Sequence, residues 1–245
     1  MRNHSWKLVV EVVLAAVFCL TVWAPAAQPY SGGIGTVDDP YVISNLEDLR
    51  MLSETPGDWD KHFLQDDNIE AYGTAAWNDG RGWSPIGVYD GAYFVGTYNG
   101  SGHRISGLFI DRADTNYVGF IGIADGARIE RVALYNVDIT GNTVVGALVG
   151  LNLRSVVHGT ASSGKVEGTG GYVGGLVGDS FSVDSQIISS HSLCDVVGGG
   201  DFVGGLAGHV YSGTIAHCSS QGDVIGSTGI GVGGLVGRQE GGTIR

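Results

Sequence analysis

Val173-Gly174-Gly175-Leu176-Val177-Gly178 decides how this chain is read, because the same phrase returns as Val145 to Gly150 (VGALVG), Val203 to Gly208 (VGGLAG) and Val232 to Gly237 (VGGLVG). A shorter form, VGFIG, opens at Val118, and the valine-to-valine steps are 27, 28, 30 and 29 residues. A near-constant period in this range is the signature of a solenoid. After each phrase comes a β-branched residue followed three positions later by a small one: Val157 and Thr160, Ile187 and Ser190, Ile215 and Cys218. A third segment ends in glycine, as in Lys165-Val166-Glu167-Gly168, Asp195-Val196-Val197-Gly198 and Asp223-Val224-Ile225-Gly226. The earliest copy, Ile129, Val132 and Asp138-Ile139-Thr140-Gly141, is one residue longer between its second and third segments.

Three short extended segments per coil are therefore expected, alternating so that one face points inward. The glycines and β-branched residues exclude the helix pairs of other repeats of this length. The expected fold is all-β: a right-handed parallel β-helix or β-solenoid with a short N-terminal capping helix. Stacked coils lie ~4.8 Å apart, so Val145, Val173, Val203 and Val232 should form one ladder and Leu148, Leu176, Leu206 and Leu235 another.

The VGGLVG phrase, the Ile215 to Cys218 spacing and the closing Gly222 to Gly226 resemble the GLUG repeat of bacterial secreted and surface proteins. The upstream stretches GTVDDPYVISNLEDLRMLS, WSPIG and GTYNGSGHRISGLFI resemble the region that commonly precedes such repeats. The resemblance covers most of the chain after residue 30. It implies a β-helix-like fold, and it is weak for function because such repeats accompany adhesins, peptidases and uncharacterised surface proteins alike.

The chain opens with an export signal: Arg2 and Lys7, an apolar run from about Val12 to Trp23, then Ala24-Pro25-Ala26, with cleavage expected after Ala26. An uncleaved membrane anchor is the competing interpretation, although the run is shorter than the ~20 residues a spanning helix needs. Four regions follow: a signal peptide at 1–26, an N-terminal cap at 27–58, irregular first coils at 59–117 and GLUG-type repeats at 118–245. The last copy stops before its third segment, so a C-terminal continuation of the array is expected to be missing. Within the cap, Ser44-x-x-Glu47 reads as a capping box before the stripe Leu46, Leu49 and Leu52. In the first coils Phe63 and Ile69 are expected on one strand, and Phe94 to Tyr98 on another.

Glycine makes up 43 of 245 residues, yet aromatic and branched residues are plentiful, so the chain is not disordered. The formal charge is −12, and the expected cleavage takes it to −13. Such a surface repels nucleic acid and anionic lipid. No cofactor is expected, with calcium on this acidic surface as the alternative. Of the three cysteines, Cys19 leaves with the signal; Cys194 and Cys218 fall in different columns and read as separate thiols rather than a disulfide.

No catalytic motif emerges. His-Glu-x-x-His and Gly-x-Ser-x-Gly are absent, and Gly229-x-Gly231-x-x-Gly234 enters a strand phrase with no helix to hold a pyrophosphate. The best grouped charges are the column Asp138, Lys165, Asp195 and Asp223 with Glu167 beside it, which suits either a solvated ladder or a polysaccharide lyase or glycosidase. The insertion Ala71 to Arg81 has no counterpart in the regular copies; as a loop it offers Tyr72, Trp77 and Asp79 for ligand contact, or else folds its aromatics onto the first coil. The function expected is a noncatalytic, secreted or cell-surface, adhesin-like module contacting glycans or surface proteins. The alternatives are a polysaccharide-active β-helix enzyme and the N-terminal scaffold segment of a larger surface protein.

Overall fold

The computed structural model describes residues 30–89, 91–227 and 229–245; the expected signal peptide at 1–26 lies outside the described residues. The chain winds into a β-solenoid whose coils pair in parallel, copy on copy. The two long ladders run to eight strands each, and two shorter ones have four and five.

The coil from 173 to 198 shows the plan. Its strands are Val173–Gly174, Val177–Ser180, Gln186–Ile188 and His191–Gly198, here called the first to fourth faces. Register is kept along every face: Val145 pairs Val173, which pairs Val203, which pairs Val232. The third face stacks Ile129, Val157, Ile187, Ile215 and Ile244, and the fourth Ile139, Val166, Val196 and Val224. The leucines follow suit through their backbones, Leu148 N donating to Leu176 O, Leu176 N to Leu206 O and Leu206 N to Leu235 O. Stacking thus converts one apolar position per repeat into a continuous buried column, which no coil achieves alone.

Two details differ from the sequence-based expectation. Each regular coil has four faces rather than three, because the VGGLVG phrase is itself bent. A Cβ on Gly174 would stand 2.0 Å from the carbonyl oxygen of Val177, three residues on. No straight strand brings such residues together, so the chain turns inside the phrase and only glycine fits there. The expected third segment also extends backward into a strand of eight residues. The extra residue of the earliest copy is absorbed as a bulge, with Asn136 at φ 53° where the register between Ser162 and Gly164 shifts.

At the N-terminal end a helix, Leu46–Glu54, buries Leu49 and Leu52 completely against the first coil. Its N-cap is Asn45, one residue later than expected: the Asn45 Oδ1 accepts from the N–H groups of Glu47 and Asp48. The reciprocal bond comes from Asp48, whose Oδ2 accepts from Ser44 N and from the Asn45 side chain. Phe63 and Ile69 lie on two strands, His62–Gln65 and Ile69–Glu70, rather than one. Phe94 makes only an isolated bridge to Ala124, and the strand begins at Thr97. A Cβ on Gly96, between them, would meet the Lys61 carbonyl oxygen at 2.0 Å, which keeps the chain kinked there.

Burial falls away at the last coil: Val203 is fully covered, whereas Val232 is 48% exposed and Leu235 only partly buried. Leu176→Ala is expected to cost ~2–5 kcal/mol, and Leu235→Ala distinctly less, in denaturant titrations. Equal losses would contradict the stacked core.

Candidate functional site

The stacking that builds the core also builds rows of side chains outside it. The residue before each Val-Gly strand forms one row: Tyr117, Val144, Tyr172 and Phe202, with φ of 60°, 61°, 61° and 62°. This left-handed conformation is unusual for bulky side chains. Here its repetition turns the chain into the first face in every coil.

A second row comes from the second face, where Leu151 pairs Asp179, Asp179 pairs His209 and His209 pairs Arg238. A third holds Leu153, Phe181 and Tyr211, the last two stacked at 4.8 Å. Tyr117, Tyr172, Phe181, Asp179 and His209 from these rows line a cleft of about 660 Å³; Phe202, Tyr211 and Arg238 do not reach its lining.

Asp179 and His209 are only 7% and 4% exposed. Rings close over them: Phe202 stacks on the His209 imidazole at 5.3 Å, and Tyr172 meets it edge to face at the same distance. The His209 Nδ1 donates to Asp179 Oδ1 at 2.9 Å, which fixes the ring. Its Nε2 is buried and has no hydrogen-bond partner; the nearest carboxylate oxygen, on Glu240, is 3.7 Å away and engaged by Arg238. Arg238 also lies over Phe202, 4.9 Å from the ring centre, and holds that ring in place.

Tyr117 stacks on Tyr89 at 5.4 Å, and this pair is shared with a second cleft of about 460 Å³ that continues past Tyr117 toward Arg112. Loss of solvent first, then Tyr89, Asp179 and Tyr93, push the Tyr117 phenol above its usual value, so it remains a neutral donor.

The residues singled out in the insertion are placed differently. Tyr72 is exposed and covers Gly107, where a Cβ would stand 2.3 Å from its ring. Trp77 stacks on the buried Trp83 at 6.2 Å with the Arg50 guanidinium 5.5 Å from its own ring centre. Asp79 sits in a short 3₁₀ turn with φ 56°. The expected loop is two such turns, Tyr72–Ala76 and Asn78–Gly80, and Trp77 is tied into the core between them. In the charged column, Lys165 lies between Asp138 and Asp195 in register, but its Nζ pairs with Glu167 at 2.6 Å. Asp195 Oδ1 accepts from the Asp223 N–H. These groups are spent on one another, as in a solvated ladder. Among the described residues no three His, Cys, Asp or Glu side chains gather where a metal ion would sit, and Cys194 and Cys218 are both free thiols.

The sequence comparisons bear on the repeats directly. The GLUG motif matches residues 203–225, which run from the first face of one coil to the fourth. The chain carries the GLUG motif in that coil, and its neighbouring coils repeat the same phrase. Relatives include halomucin of Haloquadratum walsbyi, 36% identical over 150 residues and 60% of this chain. Another is a protein of Evansella cellulosilytica named provisionally as a Gly-rich membrane protein, 35% identical over 159 residues and 57% of this chain. The chain spans only 2% and 17% of the lengths of these two relatives. Its coils superpose on a crystal structure from Bacteroides ovatus with a TM-score of 0.71, at 23% identity over 86% of this chain and 65% of the other. That protein carries a provisional name as an immunoglobulin A1 protease. The likeness is one of fold.

Two outcomes follow from the contacts. Asp179→Ala should cost ~1–3 kcal/mol by leaving both His209 nitrogens unsatisfied, and a double-mutant cycle with His209→Ala should recover part of that as coupling. Trp77→Ala should lower the melting temperature through its lost packing on Trp83, a result calorimetry reads directly.

Proposed function

We propose that this chain is a noncatalytic, adhesin-like surface module that holds carbohydrate along the aromatic cleft. The observation that carries this is the aromatic lining of the cleft, Tyr89, Tyr117, Tyr172 and Phe181, beside the polar pair Asp179–His209. Flat rings with a few oriented polar groups are what a sugar requires, since its C–H face packs on an aromatic ring while its hydroxyls seek donors and acceptors. The Asp179 carboxylate and the hydroxyls of Thr143, Tyr117 and Tyr172, all in the cleft lining, are groups of this kind. Export and display at the cell surface agree with the N-terminal signal read from the sequence, and with a relative named as a membrane protein.

A peptidase role, which the name of the Bacteroides protein raises, finds an Asp–His pair but not the third member. Among the described residues no Ser, Thr or Cys side chain is hydrogen-bonded to His209 Nε2, and a nucleophile must meet its base to be activated.

Tyr172→Ala should weaken binding on an array of plant, algal and bacterial polysaccharides several-fold, with Tyr135→Ala as the control. Tyr135 is equally aromatic and 59% exposed, but it lies on the fourth face, away from the cleft. Equal effects of the two substitutions, or no polysaccharide retained by the wild-type chain, would overturn the carbohydrate function.

A further inference from the structure

The charge of this chain makes one cation conspicuous. Lys and Arg number 13 against 25 Asp and Glu, and among the described residues the cations are used up by carboxylates. Arg50, Lys61, Arg81, Arg104, Arg128, Arg131, Arg154, Lys165 and Arg238 each have a carboxylate oxygen within 4.0 Å. The exceptions are Arg245, the last residue of the sequence, and Arg112.

Arg112 lines the second cleft, beside the stacked Tyr89–Tyr117 pair. Its guanidinium is oriented rather than free to swing: Nε donates to Trp83 O at 2.9 Å and Nη2 to Ser84 Oγ at 3.1 Å. Two of the five N–H donors that an arginine carries are thereby spent on neutral groups. Asp114, the one carboxylate lining this cleft among the described residues, is held by Arg81. Loss of solvent first, and then the Arg81 charge, lower the Arg112 proton affinity and Asp114 offsets part of this, while a guanidinium stays protonated throughout the physiological range. Among the described residues no carboxylate comes within 4.0 Å of Arg112, and the one that acts on it from farther away, Asp114, is already engaged by Arg81, so this half-buried charge is only partly neutralised. In a chain with carboxylates to spare, its retention in a cleft signals that the counterion comes from outside.

We propose that Arg112 forms a carboxylate subsite at the end of the aromatic cleft, so that the carbohydrate bound is an acidic one bearing uronate-type carboxylates. This rests on the carbohydrate function proposed above and narrows it to a substrate class. The planar fork of a guanidinium matches a carboxylate, and Tyr89 and Tyr117 offer a stacking face for the ring that bears it. The subsite carries a single cation, and it accordingly takes a single carboxylate of the ligand. The acidity of the remaining surface does not prevent this, because at 0.1 M ionic strength exposed charges beyond about 10 Å are largely screened.

The test titrates the full chain, in chelator, with an oligogalacturonate and with the same oligosaccharide after reduction of its carboxyl groups. The wild-type chain should prefer the acidic form by about tenfold or more, the worth of one charge-assisted pair. Arg112→Gln should bring that ratio close to one. Asn116→Asp should do the same by adding a competing carboxylate to the cleft, and it leaves the Arg112 contacts to Trp83 and Ser84 in place should the first variant fail to fold. If wild type binds both forms equally, or both variants keep the preference, the subsite is wrong while the carbohydrate function stands. If a sulfated oligosaccharide that lacks carboxylates binds as well as the acidic one, or the preference needs added calcium, the carboxylate assignment to Arg112 is overturned. Binding of neither form would overturn the carbohydrate function and this inference together.

Discussion

Everything in this molecule depends on backbone pairing between successive coils. The hydrogen bonds that hold a face together run from one coil to the next, as in Leu176 N to Leu206 O, and not within a coil. A coil is therefore neither hydrogen-bonded nor buried until its neighbour is in place. Because pairing is parallel and in register, each position meets its own counterpart. Any residue type repeated in the sequence becomes a row in space, apolar inside and polar or aromatic outside.

That constraint explains both the tolerance and the intolerance of the repeat. Gly174 is intolerant because the phrase bends back on the Val177 carbonyl. The position before each Val-Gly strand is tolerant by comparison: it is held at positive φ in every copy, yet tyrosine, valine and phenylalanine occupy it, and in the last copy Gly231 does so without strain. Residues forced into this region cost on the order of 1–3 kcal/mol each, and Val144, being β-branched, is the least suited. The strain persists because coil pairing on both sides fixes the backbone. Its consequence is that Tyr172 and Phe202 are carried to where they close over Asp179 and His209.

The first coils answer a different need. A solenoid end would expose its core and its backbone edge, and here a helix of nine residues covers it, with Leu49 and Leu52 wholly buried and the Trp59 Nε1 tied to the Leu52 carbonyl oxygen. Large aromatic residues, among them Phe63, Trp83, Phe94, Tyr98 and Phe120, fill this region where the regular coils use valine and isoleucine. Irregular strands enclose an irregular space, and broad rings fill it.

The sequence alone determined the period, the parallel stacking and the identity of the valine, leucine and isoleucine columns, since an apolar residue recurring every 27 to 30 positions has only one way to be buried. The small-residue column was legible for the same reason, and Thr160 and Ser190 are hydrogen-bonded neighbours in it. The bend inside VGGLVG was not legible, because glycine permits both a straight strand and a corner and only contact with Val177 decides between them. Nor was the cleft. The residue just before each phrase, and the one just after it, could have been aligned as columns, and Tyr117, Tyr172 and Phe202 with Asp179 and His209 would have stood out. Nothing in one dimension, however, says that these two columns, six or seven residues apart along the chain, face one another across the corner. Arg112 was silent for a related reason: an unpaired cation is defined by which carboxylates fail to reach it, and that is a property of three-dimensional neighbours. Trp77, prominent in the sequence because its segment lacks a counterpart in the repeats, is instead drawn into the core by Trp83, a partner whose position only the folded coil supplies.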